Sequence, residues 1–99
     1  MNNPISVSEL NSYLKLKIES DSSFHNICVR GEISNLRVVT SGHIYFSLKD
    51  NNSVIKSIMF KGYTSKLRFS LSDGMKVLVE CSVSFYVWDG QYYLLVTNI

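Results

Sequence analysis

Residues 41–60, SGHIYFSLKDNNSVIKSIMF, decide the fold of this chain. Ile44, Phe46 and Leu48 alternate with more polar residues, and this period of two indicates a strand with one buried face. Residues 50–53, Asp-Asn-Asn-Ser, follow at once and are typical of a tight turn. Residues 54–60 then resume the alternation, with Ile55, Ser57 and Met59 on the inner face. The segment therefore predicts an antiparallel hairpin.

The same alternation predicts three more strands outside this hairpin. One precedes it at residues 27–34, and two follow at residues 75–86 and 91–98, joined by a turn at Trp88-Asp89-Gly90. We expect the inner faces to carry Ile27, Val29, Gly31 and Ile33, then Val77, Val79, Cys81, Val83 and Phe85, and finally Tyr92, Leu94 and Val96.

Two segments interrupt the strands and predict helices. Residues 61–71 lose the alternation, and residues 63–68 could form a short helix. The other helix opens the chain at about residues 6–20, because Ser6 and Glu9 fit a capping box. Its apolar residues recur at helical spacing, at Val7, Leu10, Leu14 and Ile18. We expect this helix to pack on the domain or on a neighbouring molecule.

The order of elements is helix, three strands, short helix, two strands. It predicts a mainly β chain, a five-stranded barrel of the OB type with an N-terminal α-helix and a short helix between strands 3 and 4. An SH3-like barrel is the alternative, but it usually lacks the second helix. We expect one domain over residues 1–99, with the barrel at about 25–98. Since the sequence stops at its last strand, we expect a piece of a longer chain.

Composition narrows the class of protein. The chain is 45% hydrophobic and 18% charged, as globular proteins are. No apolar run reaches the ~18–20 residues that span a bilayer, and no basic segment precedes an apolar block at the N-terminus, so we expect no membrane partner and no secretion signal. Cys28 and Cys81 are too few for a disulfide framework, which favours reduced thiols in a cytoplasmic protein. A net charge of +2 permits an anionic partner without requiring one.

No residue pattern predicts catalysis or a cofactor in this chain. The histidines are isolated, no CxxC or HxxxH spacing occurs, and we expect no metal site. Nucleases that use metal ions need clustered carboxylates. The acidic residues here are scattered over different turns and strands, at Glu32, Asp50, Asp73, Glu80 and Asp89. We therefore expect no catalytic residues, and no catalysis by this domain alone.

The outward residues of the first three strands mix aromatic rings with cations. Single-stranded nucleic acid is bound by that mixture, because rings stack on bases while Lys and Arg contact phosphates. OB barrels bind oligonucleotides on the face of strands 2 and 3. The candidates are Arg30, Arg37 in the following loop, His43, Tyr45, Lys49, Lys56 and Phe60.

The exposed rings are also compatible with contacts to protein. Outward Tyr and Phe residues often pack beneath a neighbouring helix or domain. A protein-docking module would use the outward apolar residues Ile58, Phe60, Leu78 and Leu95. Trp88 could be a stacking tip or part of a docking surface, whereas we expect Tyr86, Tyr92 and Tyr93 to fill the barrel and cover its edge.

Five segments in order resemble the N-terminal domain of exodeoxyribonuclease VII large subunits. They are residues 7–11 (VSELN), 29–35 (VRGEISN), 41–50 (SGHIYFSLKD), 58–60 (IMF) and 73–79 (DGMKVLV). Each is weak alone, but together they are specific, and the resemblance covers about residues 7–96.

The resemblance implies an OB-fold domain that grips single-stranded DNA for a catalytic domain absent from this chain. It implies a parent exonuclease built from one large subunit and several copies of a small helical subunit, the expected protein partner. It also adds Ser34 to the candidate DNA contacts, which become Arg30, Ser34, Arg37, His43, Tyr45, Lys49, Lys56 and Phe60.

Overall fold

Five strands close into a barrel in the computed structural model, which describes residues 3–99. Neighbouring strands follow the order β1-β2-β3-β5-β4, and β4 closes the barrel by pairing with β1. Every pair is antiparallel except β3 with β5, which meet in parallel over a short stretch. This order is that of the OB fold, so the predicted fold class is confirmed. The strands are β1 (Ile27–Val38), β2 (Ile44–Lys49), β3 (Val54–Met59), β4 (Lys76–Tyr86) and β5 (Gln91–Asn98).

The barrel interior holds the core, and the alternation predicted most of it. The buried apolar residues are Ile33, Ile44, Phe46, Leu48, Met59, Val77, Val79, Cys81, Phe85, Leu94 and Val96. One expected inward residue is wrong: the side chain of Tyr92 is 59% exposed. Tyr92 is the second residue of β5, next to the hairpin turn, where the strand has not yet reached the packed interior.

The first strand is longer than its alternation predicts, because a β-bulge extends it. The pairing register of β1 with β2 shifts between Ser34 and Arg37, and Asn35 has φ of 51° there. The backbone N–H of Leu36 donates to Asp73 Oδ1 at 2.9 Å. The first half of β1, up to Glu32, pairs with β4, and the second half, from Glu32 onward, pairs with β2 and contains the bulge. Arg37 therefore lies in the strand and not in the loop predicted for it.

The N-terminal helix α1 (Val7–Ser20) begins as predicted. The Ser6 hydroxyl accepts from the backbone N–H of Glu9 at 3.0 Å, and the Glu9 carboxylate accepts from the backbone N–H of Ser6 at 3.5 Å. A 3₁₀ turn, Ser22–Phe24, then leads to β1.

Polar side chains, rather than the apolar stripe, attach α1 to the barrel. Asn11 Nδ2 donates to the carbonyl of Val87 at 2.8 Å, and Lys15 Nζ donates to the carbonyl of Phe85 at 3.2 Å. Glu19 Oε2 accepts from the Ser84 hydroxyl at 2.8 Å and from the backbone N–H of Phe85 at 3.2 Å. A spacing of four residues places these three side chains on one side of the helix.

The position at which β1 begins explains why the polar side of α1 packs on the barrel. β1 pairs with β4 only up to Ile27 opposite Cys81, so the edge of β4 beyond Cys81 needs other partners for its backbone groups. The polar row of α1 supplies them. As a result no residue of α1 is buried, Val7, Leu10 and Leu14 are exposed, and only Ile18 of the predicted stripe is half-buried. Packing on the domain is confirmed, but by the polar side of the helix.

The second helix α2 (Lys61–Thr64) begins two residues earlier than predicted. Its first backbone N–H, on Lys61, donates to Nδ1 of His43 at 2.9 Å. The Thr64 hydroxyl donates to the carbonyl of Gly42 at 2.8 Å. Both contacts come from the turn before β2, so the start of α2 is set by a segment about 20 residues away.

Candidate nucleic-acid interface

A groove of about 510 Å³ lies between the outer face of β3 and the β4–β5 hairpin. Half of its lining residues are aromatic, and its charged members are Lys56 and Asp89. Aromatic rings offer flat apolar faces on which nucleobases stack. The lining residues are Tyr45, Lys56, Ser57, Ile58, Phe60, Tyr86, Asp89, Gln91, Tyr92 and Tyr93.

Tyr45 is at the centre of a row of side chains that crosses the strands. Arg37 on β1 pairs with Tyr45 on β2, which pairs with Ile58 on β3. The guanidinium carbon of Arg37 lies 5.2 Å from the centroid of the Tyr45 ring, the geometry of a cation–π contact. Arg37 thereby orients the ring and places a positive charge beside the groove.

A second row, next along the strands, adds Lys56. Ser34 on β1 pairs with Ser47 on β2, which pairs with Lys56 on β3. Lys56 is exposed and lines the groove, whereas Ser34 lies on the adjoining surface. Ser47, which lies between them in this row, is small, so the row places no bulky side chain between Ser34 and the cation.

A third row contains Lys49, whose charge is partly compensated. Lys49 pairs with Glu32 of β1, and its Nζ lies 3.8 Å from Glu32 Oε2. Both side chains are exposed by more than a third, so the pair is weak and a phosphate could compete for the lysine.

Phe60 and His43 form a pair at the rim of the groove. Their rings meet edge to face, with centroids 5.2 Å apart and planes at 88°. The Nδ1 atom of His43 accepts the backbone N–H of Lys61, so His43 holds the start of α2 and the ring of Phe60 together. Phe60 is 40% exposed and lines the groove. His43 positions Phe60 from outside the lining.

Arg30 lies apart from the other predicted residues. It pairs with Leu78 on β4, in the half of β1 that turns away from β2. The predicted set is therefore divided: Tyr45, Lys56 and Phe60 line the groove, Arg37, Ser34 and Lys49 lie on the strands beside it, His43 supports Phe60, and Arg30 is elsewhere.

The outward apolar residues of the predicted docking module do not form one patch. Ile58 and Leu95 are paired neighbours on β3 and β5 and are half-buried. Leu78 is 60% exposed but lies on β4 opposite Arg30.

Sequence reasoning missed the tyrosines of the β4–β5 hairpin. Tyr86 and Tyr92 are about half exposed and line the groove together with Tyr93, instead of filling the barrel. The alternation of residues along the last two predicted strands already placed Tyr86 and Tyr93 on the outer face. The sequence did not show that β3 and β5 meet in parallel, and this contact brings the hairpin beside Phe60.

Trp88, at the tip of the same hairpin, is 85% exposed and lies outside the groove. It borders a smaller depression of about 290 Å³ against α1. The other residues there are Val7, Ser8, Asn11, Ser12 and Val87.

The remaining chemistry of the described chain is limited. Within residues 3–99, no three His, Cys, Asp or Glu side chains are grouped so that they could hold a metal ion. None of the helices in that range is long and apolar enough to cross a membrane.

Cys28 is an exposed free thiol and Cys81 a buried one. Burial raises the pKa of Cys81 to about 11, and the neighbouring Cys28 adds to the rise, so Cys81 stays a neutral core residue at physiological pH.

Comparison with known proteins agrees with this geometry. A family model described as an OB-fold nucleic acid binding domain matches residues 5–99. The chain is 47% identical over 95 residues to the exodeoxyribonuclease 7 large subunit of Clostridium botulinum, and 50% identical over 95 residues to that of Clostridium acetobutylicum. It is 41% identical over 99 residues to that of Ruminiclostridium cellulolyticum. These alignments cover 96–100% of the chain but 24% of each relative, so the chain spans about a quarter of their length. They confirm the resemblance found in the sequence.

Proposed function

Because the chain belongs to the family of OB-fold nucleic acid binding domains, we propose that it is the single-stranded-DNA-binding domain of an exodeoxyribonuclease VII large subunit. Its task is to hold a strand for exonucleolytic cleavage to nucleotides by a catalytic domain outside this chain. The small subunit of that enzyme is the proposed protein partner, bound through the part of the large subunit that this chain lacks.

One observation carries this proposal: the groove is lined by five aromatic rings with the ammonium group of Lys56 among them and Arg37 alongside. Rings stack on any base without regard to sequence, at roughly 1–3 kcal/mol per base. In duplex DNA the base faces are already stacked on one another, so this groove favours a single strand. Asp89 and Gln91 at the hairpin end add polar groups for base edges or sugars.

The test is a fluorescence anisotropy titration of the 99-residue chain with a labelled single-stranded oligonucleotide and a duplex of equal length. We expect the single strand to bind more tightly. Tyr45→Ala removes a stacking ring and should weaken binding roughly fivefold to 150-fold, from the same 1–3 kcal/mol per base.

Tyr13→Ala is the matched control, because it removes the same atoms from an exposed tyrosine of α1 that does not line the groove. It should leave the affinity unchanged. Equal affinity for duplex and single strand, or an unchanged affinity for the Tyr45→Ala variant, would contradict the proposed stacking groove. Absence of binding at low salt would favour a docking module instead.

A further inference from the structure

The side of α1 opposite the barrel is exposed and partly apolar. Successive residues of an α-helix are rotated by about 100°, so the polar row at residues 11, 15 and 19 faces the barrel and another set faces away. Three members of that set are apolar or aromatic: Leu10 is 47%, Tyr13 56% and Leu16 67% exposed. Glu9 and Lys17 flank them on the same side. These five residues form the outer face of α1.

The outer face is complementary to itself. Tyr13 is at its centre, with Leu10 and Leu16 three residues away on either side and Glu9 and Lys17 four residues away. If two such helices pack antiparallel about a two-fold axis at Tyr13, Leu10 of each copy meets Leu16 of the other. Glu9 of each copy then meets Lys17 of the other, which forms two ion pairs. A parallel pair would instead place Glu9 beside Glu9 and Lys17 beside Lys17.

We propose that the outer face of α1 binds a second copy of this chain, with the two α1 helices antiparallel. Charge complementarity selects this occupant, because the acidic end and the basic end of one helix match those of its inverted copy. A two-fold dimer interface must be self-complementary in this way. The two charges are also available: among residues 3–99 the ion pairs are Lys15–Glu19 and Lys49–Glu32, and neither involves Glu9 or Lys17.

The contact is small, so the dimer is weak and dependent on concentration. The 14 residues of α1 give a helix about 21 Å long, and one face of such a helix buries less than the ~800 Å² per partner of a standard stable interface. The proposed contact between copies involves α1 alone and no residue that lines the groove. It can therefore fail or succeed independently of the proposed DNA binding.

Analytical ultracentrifugation of the 99-residue chain from about 10 µM to about 1 mM tests the pairing. We expect the weight-average mass to rise from 11.3 kDa towards twice that value. Glu9→Lys and Lys17→Glu should each weaken self-association at least tenfold, since either homodimer then contains two like-charge contacts. An equimolar mixture of these two variants should associate again, because both contacts become opposite in charge.

Lys66→Glu is the matched control, with the same charge change at an exposed lysine outside α1, and should associate as the wild type does. Glu9 also accepts the capping hydrogen bond from Ser6, so far-UV circular dichroism should accompany each variant. Leu16→Gln leaves the cap intact and should weaken association as well. A wild-type chain that stays monomeric up to 1 mM, or a mixture that associates no better than its components, would overturn the proposal.

Discussion

Gly31 shows how a single missing side chain keeps the barrel closed. A Cβ atom built there would lie 2.7 Å from Cγ and 2.9 Å from Cδ1 of Leu48, a core residue that is 3% exposed. Leu48 is enclosed by the core and cannot move aside freely. Gly31→Ala should therefore lower the free energy of unfolding by about 1–3 kcal/mol, the usual cost of overpacking, as measured by urea denaturation.

Gly62→Ala is the control for that experiment. A Cβ atom at Gly62 meets nothing within 4 Å, and this glycine lies in α2, where alanine is the better helix former. The variant should be neutral or slightly more stable than the wild type. Equal destabilisation by both substitutions would show that the contact with Leu48 is not the cause.

For single residues, the alternation of residue types predicted most of the side chains in the barrel interior but fewer of those that line the groove. Phe46 and Leu94 were placed inside because hydrophobic burial enforces a period of two along a strand. Tyr92 follows the same parity but is exposed, since it belongs to the hairpin end that projects beyond the core. The alternation along a strand predicts which face of the sheet a side chain lies on. Only the closed barrel shows which residues that side chain contacts.

Among the elements, α1 depends on the charge of Glu19. Burial by itself raises the pKa of this carboxyl, but hydrogen bonds from Lys15, Ser84 and the backbone N–H of Phe85 outweigh it and hold the pKa below its usual value. A lowered pKa in the folded state means that the ionised group stabilises the docked helix above the unfolded-state pKa, at about 4.3. That contribution is lost as the pH falls through the lower folded-state pKa.

The backbone amide signal of Phe85 reports this contact in an NMR titration. We expect it to shift as the pH falls below about 4.3, the reference pKa of a free glutamate, and Glu19→Gln should abolish that shift and loosen the end of α1. Glu9→Gln serves as the control, because within one copy Glu9 bonds only to the helix start and makes no contact with Phe85, so the Phe85 signal should stay unaltered. An identical titration of Phe85 in the Glu19→Gln protein would contradict the assigned role.

The elements also show where sequence reasoning reaches its limit. The sequence predicted the capping box of α1, because its two residues, Ser6 and Glu9, are only three positions apart in the chain. The sequence did not predict which side of α1 packs, because the edge of β4 is free only beyond Cys81, the partner of Ile27 at the start of β1. The start of α2 was not predicted for a similar reason, since the backbone N–H of Lys61 donates to His43 in the turn before the neighbouring strand β2.

The whole molecule is more extended than a typical domain of its length. The Cα radius of gyration is 15.3 Å, against about 12.6 Å from the general relation for a compact domain of this length. The longest dimension is 54 Å, and α1 is attached at the end of the barrel where β4 leads into the β4–β5 hairpin. The groove and the outer face of α1 are therefore separate surfaces, and a strand of DNA and a second copy need not compete.

The cations beside the groove, rather than the net charge of the whole molecule, set how DNA binding depends on salt. A net charge of +2 produces little long-range attraction, so electrostatic affinity has to come from the cations beside the groove. These are Arg37, Lys49 and Lys56, and three neutralised phosphates at roughly −0.7 each give a slope of about −2 in a plot of log K against log salt concentration.

Titrations between about 50 and 200 mM salt test this slope. Lys56→Ala should make it shallower by roughly 0.7, because one phosphate contact is lost, whereas Tyr45→Ala should lower the affinity at every salt concentration and leave the slope unchanged. Lys66→Ala removes an exposed charge away from the groove and should change neither quantity. A slope near zero in the wild type, or the same slope with and without Lys56, would mean that phosphates are not bound on this face. The distinction matters because stacking alone would hold a strand without fixing its backbone, and the proposed positioning of DNA for cleavage needs both contacts.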